Sequence, residues 1–341
     1  MYEYFSVFIP GLSEVVGSEL TGTLYKVGIN ILEDGFVWYQ SGSAPEQVRK
    51  QFFLNNTFLL LDLSDDLGSG LLEKTARGIL QKPDQYFDSN YSQLEHYRGK
   101  RFRFVFSLEN KLIKVDAQLL FALEERFKRK FGLRVDRSNP EIELWFLARR
   151  GGSVFFGLRI TYHPDYKTVL QKGQLRPELA HLLCTISDPT PDDVVLDPFA
   201  GSGAIPLERK WSPYKQIIAG DVDAKLAKRF EIKAGKQITV KKLDATDLHD
   251  IKSGSVNKII TDPPWGVSIG KELNLENFYD KMLEEFSRVL TPNGIIVILV
   301  GKKDIFKSVL NNFASNFQIL KSYHILVSGK KATVYKIKRL V

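Results

Sequence analysis

The chain has little of what would cross-link a fold. A single cysteine, Cys184, stands among 341 residues. No disulfide within the chain is therefore available, and no Cys/His cluster has the spacing of zinc or iron–sulfur ligands. In "LAHLLCTI" that cysteine lies in an apolar helical run, where a thiol is buried and inert. Hydrophobic runs stay short of the roughly 20 residues that cross a bilayer. The opening "MYEYFSVFIPG" has no basic stretch leading into a long apolar one, as a secretory signal would. Low-complexity segments are missing too. A cytoplasmic monomer with neither metal nor membrane contact is expected.

What is there is a large apolar content, 43%, with a formal charge of +8. That suffices for two or three domains with real cores. A basic balance permits a polyanionic partner without requiring one.

The C-terminal part alternates short apolar runs with helical stretches. The runs are "VVLD" (194–197), "QIIAGD" (216–221), "ITVKKLD" (238–244), "NKIITD" (257–262) and "IIVILV" (295–300). Between the last two, Phe278, Met282, Phe286 and Val289 share one face of a helix over 277–290, which Pro292 and Gly294 end. Such βαβ repetition predicts a doubly wound parallel sheet. The tail "FQILKSYHILV…ATVYKIKRL" predicts a hairpin and an antiparallel edge. The first 165 residues read as α+β. Hairpins turn at Asp34-Gly35 and Gly151-Gly152, and a strand over 100–107 leads into a helix over 115–130. The polar segment 163–176 is placed as the main boundary.

In "VVLDPFAGSGAIPLE" an acid closes a strand, two glycines follow, and a helix begins. The glycines let backbone approach a ligand. A nicotinamide-binding Gly-x-Gly-x-x-Gly would need its third glycine at Pro206, and Asp197 would repel a pyrophosphate. An acid suits a ligand bearing an ammonium or sulfonium, such as S-adenosylmethionine. Further acids close the following strands: Asp221 and Asp223, Asp244, and Asp262. Ligands of open α/β sheets bind outside those ends. Asp221 can accept ribose hydroxyls, and Asp244 an adenine amine beside the Ala245 amide. Any one such acid is equally a helix N-cap, the preferred reading for Asp223 and Asp247. Four acids at four strand ends exceed what capping explains.

"IITDPPWG" adds a carboxylate fixed by two prolines and a flat aromatic. Taken alone, it is also what a proline turn beside a core tryptophan would look like.

Together "DPFAGSGAIPLE", "GDVD", "LDATDL" and "TDPPWG" resemble the motifs of class I S-adenosylmethionine-dependent methyltransferases acting on exocyclic amino groups. Asp262-Pro263-Pro264-Trp265 is similar to their (Asp/Asn)-Pro-Pro-aromatic signature, although Trp265 stands where tyrosine or phenylalanine is usual. "GQLRPELAHLL" and "FIPGLSEVVGSEL" resemble the lead-in helix and the opening of one branch, the THUMP-domain RNA methyltransferases that make N2-methylguanosine in tRNA. The resemblance implies a Rossmann-like catalytic domain over 166–341, a ferredoxin-like segment over 1–55 and a THUMP RNA-binding domain over 56–165. It implies S-adenosyl-L-methionine held by Arg176, Pro177, Asp197, Phe199, Gly201, Ser202, Gly203, Asp221, Val222, Asp244, Ala245 and Asp262. Catalysis would fall to Asp262, Pro263, Pro264 and Trp265. Asp262 and the Pro263 carbonyl would accept the N–H groups of the target amine and orient its lone pair, while Trp265 stacks on the base.

The basic stretches "HYRGKRFRF" and "RFKRKFGLRVDR" interleave cations with aromatics. Arg98, Arg101, Lys128, Arg129 and Lys130 are the contact residues expected for a tRNA acceptor end, with Phe127 and Phe131 in the core. The bland alternative is a solvated helix face. Guanine N2 is the target favoured; adenine N6 and a glutamine amide share the signature. A non-catalytic RNA-binding protein on the same fold is the remaining alternative, against which the four intact acids stand.

Overall fold

The computed structural model describes residues 1–65, 70–149, 151–161, 174–223, 225–226, 230, 234–266, 272, 274–327 and 329–341. Its N-terminal half builds one mixed sheet from β1 (Tyr2–Val7), β2 (Gly28–Glu33), β3 (Phe36–Ser41), β4 (Asn56–Asp65), β5 (Arg101–Leu108), β6 (Lys111–Leu112), β7 (Arg134–Val135), β8 (Ile142–Ala148) and β9 (Ser153–Arg159). The order is β2-β3-β1-β4-β9-β8-β5-β6, with β7 beside β5. The hairpins expected at Asp34-Gly35 and Gly151-Gly152 are those of β2/β3 and β8/β9. β1 pairs with β3 on one side and β4 on the other, so one sheet runs across the boundary expected at residue 55.

Aromatic rings fill both faces of this sheet. Phe5, Phe36, Phe58 and Phe155 pack on one, while Phe104, Phe127, Phe146 and Phe156 pack on the other. The helix Ala117–Phe131 begins at Asp116, whose carboxylate accepts the Leu119 amide at 2.9 Å. It buries Phe127 and Phe131, as their spacing of one helical turn predicts.

The C-terminal half is a sheet of β10 (Val194–Asp197), β11 (Gln216–Asp221), β12 (Thr239–Lys242), β13 (Val256–Thr261), β14 (Leu290–Val300), β15 (Phe317–Val327) and β16 (Lys330–Arg339), ordered β12-β11-β10-β13-β14-β16-β15. Pairing is parallel from β12 to β14 and antiparallel through β16 and β15. The helix before β14 spans Leu275–Val289, ending one residue before the expected 290, because Leu290 already pairs with Val256. The chain reverses direction across the sheet between β10 and β13, and there the crevice for a ligand opens.

The two halves are joined by polar and aromatic contacts. Glu14 meets Lys321, and Gly11 lies against the His324 carbonyl. His181, in the helix Pro177–Ile186, sits between Glu19 at 3.4 Å and Glu208 at 3.6 Å and stacks on Phe53. Burial alone would lower the His181 pKa, but the two carboxylates outweigh it and push it up to about 9. The boundary expected over 163–176 lies mostly outside the described residues.

Candidate functional site

The crevice is built from strand ends. β10 stops at Asp197, and Pro198 prevents its continuation. The loop that follows is held to β11 by the Ala200 amide on the Gly220 carbonyl at 2.8 Å. Gly201 donates its amide to Asp221 Oδ2 at 3.0 Å, so the loop and the second acid share one wall. Gly203 has a φ of +88°, and a Cβ on it would strike the Phe230 ring. A side chain there would close the turn, which makes glycine necessary. The helix Ala204–Arg209 starts at once, and Pro206 is tolerated in its first turn because the missing amide would have no partner. Ser202 lies half-buried in the same loop.

Asp197 carries the strongest electrostatic signature. Its Oδ1 accepts the Thr261 hydroxyl at 2.7 Å and the Phe199 amide at 3.1 Å, tying the end of β10 to the end of β13. Its Oδ2 is buried with no partner among the described residues. Burial first, then the charges of Asp262 and Asp221, push the Asp197 pKa up to about 7 against the Thr261 and Phe199 bonds. An orphaned buried carboxylate oxygen is costly and calls for a cationic or hydrogen-bonding occupant. Phe199 packs against Phe278 at 5.8 Å. Val222, directly after Asp221, exposes 62% of its surface and offers an apolar shelf beside the acid.

The remaining acids are less constrained. Asp244 is exposed; its Oδ1 takes the Thr246 amide and hydroxyl, while Ala245 is buried. Asp223 accepts the Lys225 amide, in keeping with a capping role. Asp247 does not cap a helix: it is exposed, its carboxylate faces His249 Nδ1 at 3.2 Å, and its backbone bridges Asp244. That cap reading is corrected by the local turn, which uses the Asp244 carboxylate instead.

Asp262 follows β13 directly. Burial pushes its pKa up to about 7, and the Trp265 indole, donating to Oδ1 at 2.9 Å, works against that rise. Trp265 is half-buried over Gly301 at the end of β14. Tyr279, on the helix behind, was not anticipated from sequence: its hydroxyl is buried without a partner. Burial, then the charge of Asp262, push its pKa up to about 12. Glu178, beside Arg176 and Pro177, also escaped notice. Its Oε2 is buried and unpartnered, and burial raises its pKa against its own amide and Arg176. Arg176 is exposed and Pro177 opens the helix; no hydrogen bond or ion pair among the described residues joins either to the four acids.

Among the described residues no cation pairs with Asp197, Asp221, Asp244 or Asp262, and no His/Cys/Asp/Glu group could hold a metal. The crevice can thus accept a positive group at Asp197, hydroxyls near Asp221 and an N–H donor at Asp262.

The basic candidates separate into two sets. Arg101 is held by Glu141 at 3.3 Å and Asp136 at 3.8 Å, Lys128 by Glu125 at 2.9 Å, and Lys130 by Asp88 at 2.5 Å. Arg98, lying over Gly132, and Arg129 are exposed, with no ion pair among the described residues.

The chain is similar to known proteins. Residues 164–331 match the UPF0020 family, described as RMKL-like, methyltransferase domain. The human tRNA (guanine(6)-N(2))-methyltransferase THUMP3 is 30% identical over 239 residues, 64% of this chain and 46% of that protein. A tRNA (guanine(6)-N2)-methyltransferase of Thermus thermophilus is 30% identical over 195 residues, 54% of this chain and 58% of that one. The chain spans about half the length of the curated relatives it matches. Among solved structures, TrmN from Thermus thermophilus superposes with a TM-score of 0.79 at 23% identity, covering 100% of both chains, which establishes the shared fold.

Proposed function

From the match of residues 164–331 to the UPF0020 methyltransferase-domain family, we propose that the chain is a tRNA guanine N2-methyltransferase using S-adenosyl-L-methionine. The observation that carries the reading is the pairing, across β10 and β13, of a buried carboxylate oxygen without a partner at Asp197 and a rigid acceptor at Asp262. The relatives named above as tRNA guanine N2-methyltransferases supply the choice of target over adenine or glutamine. In this reading residues 1–55 and 56–165 serve as the ferredoxin-like segment and THUMP RNA-binding domain, gripping the acceptor end of tRNA.

The residues fit the methyl donor. Asp197 Oδ2 would meet its positive end, Asp221 its ribose hydroxyls, Val222 and Ala245 the flat base, and the Gly201–Gly203 backbone its tail. When bound, S-adenosyl-L-methionine supplies an electrophilic methyl group. The chain's own residues do the rest. An aromatic amine is a poor nucleophile because its lone pair is delocalised. Asp262 and the Pro263 carbonyl accept its two N–H bonds, and Pro263 with Pro264 keeps those acceptors still, so little reorganisation is needed. The amine's proton leaves after the transfer, and Asp262 acts by orienting the group. Trp265 gives the extruded base a face to stack on.

Incubating the full chain with labelled S-adenosyl-L-methionine and bulk tRNA, then digesting the RNA to nucleosides, tests the reading. Label in N2-methylguanosine is expected; label only in N6-methyladenosine or in protein would replace the target.

A further inference from the structure

Resting on that reading, we propose that Trp265 is a positioning residue for Asp262: its indole N–H occupies Oδ1 and reserves Oδ2 for the amine of the target base. Three observations carry this. The Nε1–Oδ1 separation is 2.9 Å, a good charge-assisted hydrogen bond within a four-residue loop. The ring is fixed from behind, since a Cβ on Gly301 would come within 2.5 Å of its Cδ2 and Cε3 atoms. No donor among the described residues reaches Oδ2, which leaves that oxygen free to accept. A phenylalanine in the same place would present a stacking face and nothing for the carboxylate, so the tryptophan adds a function to the signature.

The bond also bears on ionisation. Asp262 shares its surroundings with Asp197 at the end of β10 and Tyr279 on the helix behind, and Asp221 lies beyond Asp197. These neighbours are acids or a phenol, and none supplies a cation. Donation by the indole is what favours the ionised carboxylate against its burial. A proton placed on Oδ1 would have to displace the indole, and a proton on Oδ2 would block the amine. The tryptophan therefore keeps the acceptor charged and its plane fixed at once.

Two measurements test this. In ligand-free protein with nitrogen-15 in its indoles, the Trp265 resonance, assigned by its loss in Trp265→Phe, should titrate with a midpoint near 7. That titration should vanish in Asp262→Ala. An indole signal that ignores Asp262→Ala would overturn the proposal, whatever the protein's substrate. In single-turnover methyl transfer, Trp265→Phe should move the acid limb upward by about one pH unit. Activity should then recover at high pH with KM for tRNA nearly unchanged. Gly301→Ala, which keeps the indole but crowds it, should shift the limb the same way. A uniform loss at every pH with a raised KM would mean that Trp265 only stacks, and would end the claim. Failure of wild-type protein to methylate tRNA would count against the function proposed above; the indole titration would stand or fall separately.

Discussion

The N-terminal sheet and the C-terminal crevice treat acidic side chains in opposite ways. In the N-terminal sheet carboxylates are matched with cations: Glu143 with Arg103 and Arg159, Glu141 with Lys100 and Arg101, Glu124 with Arg137, and Asp62 with Lys82. Glu143 shows the result. Burial would raise its pKa, but Arg159, Trp145 and Arg103 together hold it below the usual carboxylate value. In the C-terminal crevice the acids face one another and a buried phenol, and Asp197 and Asp262 are driven up to about 7. One half spends its charges on internal order; the other leaves charge unmatched where a ligand would complete it. Unmatched buried charge destabilises a fold, so its persistence marks a site.

The largest effect should come from breaking the one fully buried ion pair among the described residues of the C-terminal half. Arg209, the last residue of the glycine loop's helix, and Asp193, just before β10, meet at 2.6 Å with essentially no exposure. Arg209→Ala leaves Asp193 without its cation and should cost about 3–5 kcal/mol in urea unfolding. Next, Asp262→Ala should lower single-turnover methyl transfer by about 10²–10³-fold. Calorimetric affinity for S-adenosyl-L-methionine should hold. Asp262→Asn, which still accepts a hydrogen bond, should keep clearly more activity; an Asn variant no faster than Ala would assign Asp262 as a base instead.

The contrast between halves then predicts opposite signs for two charge removals. Asp197 has a folded pKa above its unfolded value of about 4, so folding takes up a proton between the two. The stability it allows is full below that unfolded value and lost as pH rises through about 7. Asp197→Asn should therefore stabilise the protein at pH 8 by about 1–2 kcal/mol, and by little near pH 4. Glu143 runs the other way: its folded pKa is depressed, so its contribution is present above the unfolded value and lost as pH falls through the folded one. Glu143→Gln should cost about 1–3 kcal/mol at pH 8. Thermal melts of both variants across pH decide the matter; equal signs would dissolve the comparison. The smallest effect belongs to the exposed cations. Arg98→Glu with Arg129→Glu should weaken tRNA binding and make its log–log salt dependence shallower by about 2, whereas adding Arg101→Glu should change that slope little.

The C-terminal sheet was legible because each of its signals is local. An acid after an apolar run, two glycines before a helix and paired prolines each declare themselves within a few residues. What escaped needed the third dimension. Arg101 looked free because Glu141, which neutralises it, lies forty residues on and arrives only through the β5/β8 pairing. Tyr279 and Glu178 sit in ordinary helical patterns, and only packing shows that their oxygens are left without partners. The bond from Trp265 to Asp262 depends on a side-chain orientation that Gly301, from another strand, makes room for. The sheet joining β1 to β4 was hidden in a similar way, since its pairing spans the boundary expected at residue 55.

The clamp of His181 between Glu19 and Glu208, braced on Phe53, has a consequence for how the molecule would choose its target. Under the function proposed above, it would hold the half assigned to RNA against the crevice as the jaws of a calliper are held by their lock. With the opening set, selection becomes a measurement of length. On that proposal the nucleotide modified would be the one a set reach along the RNA from the held end, and the letters around it would not need to be read.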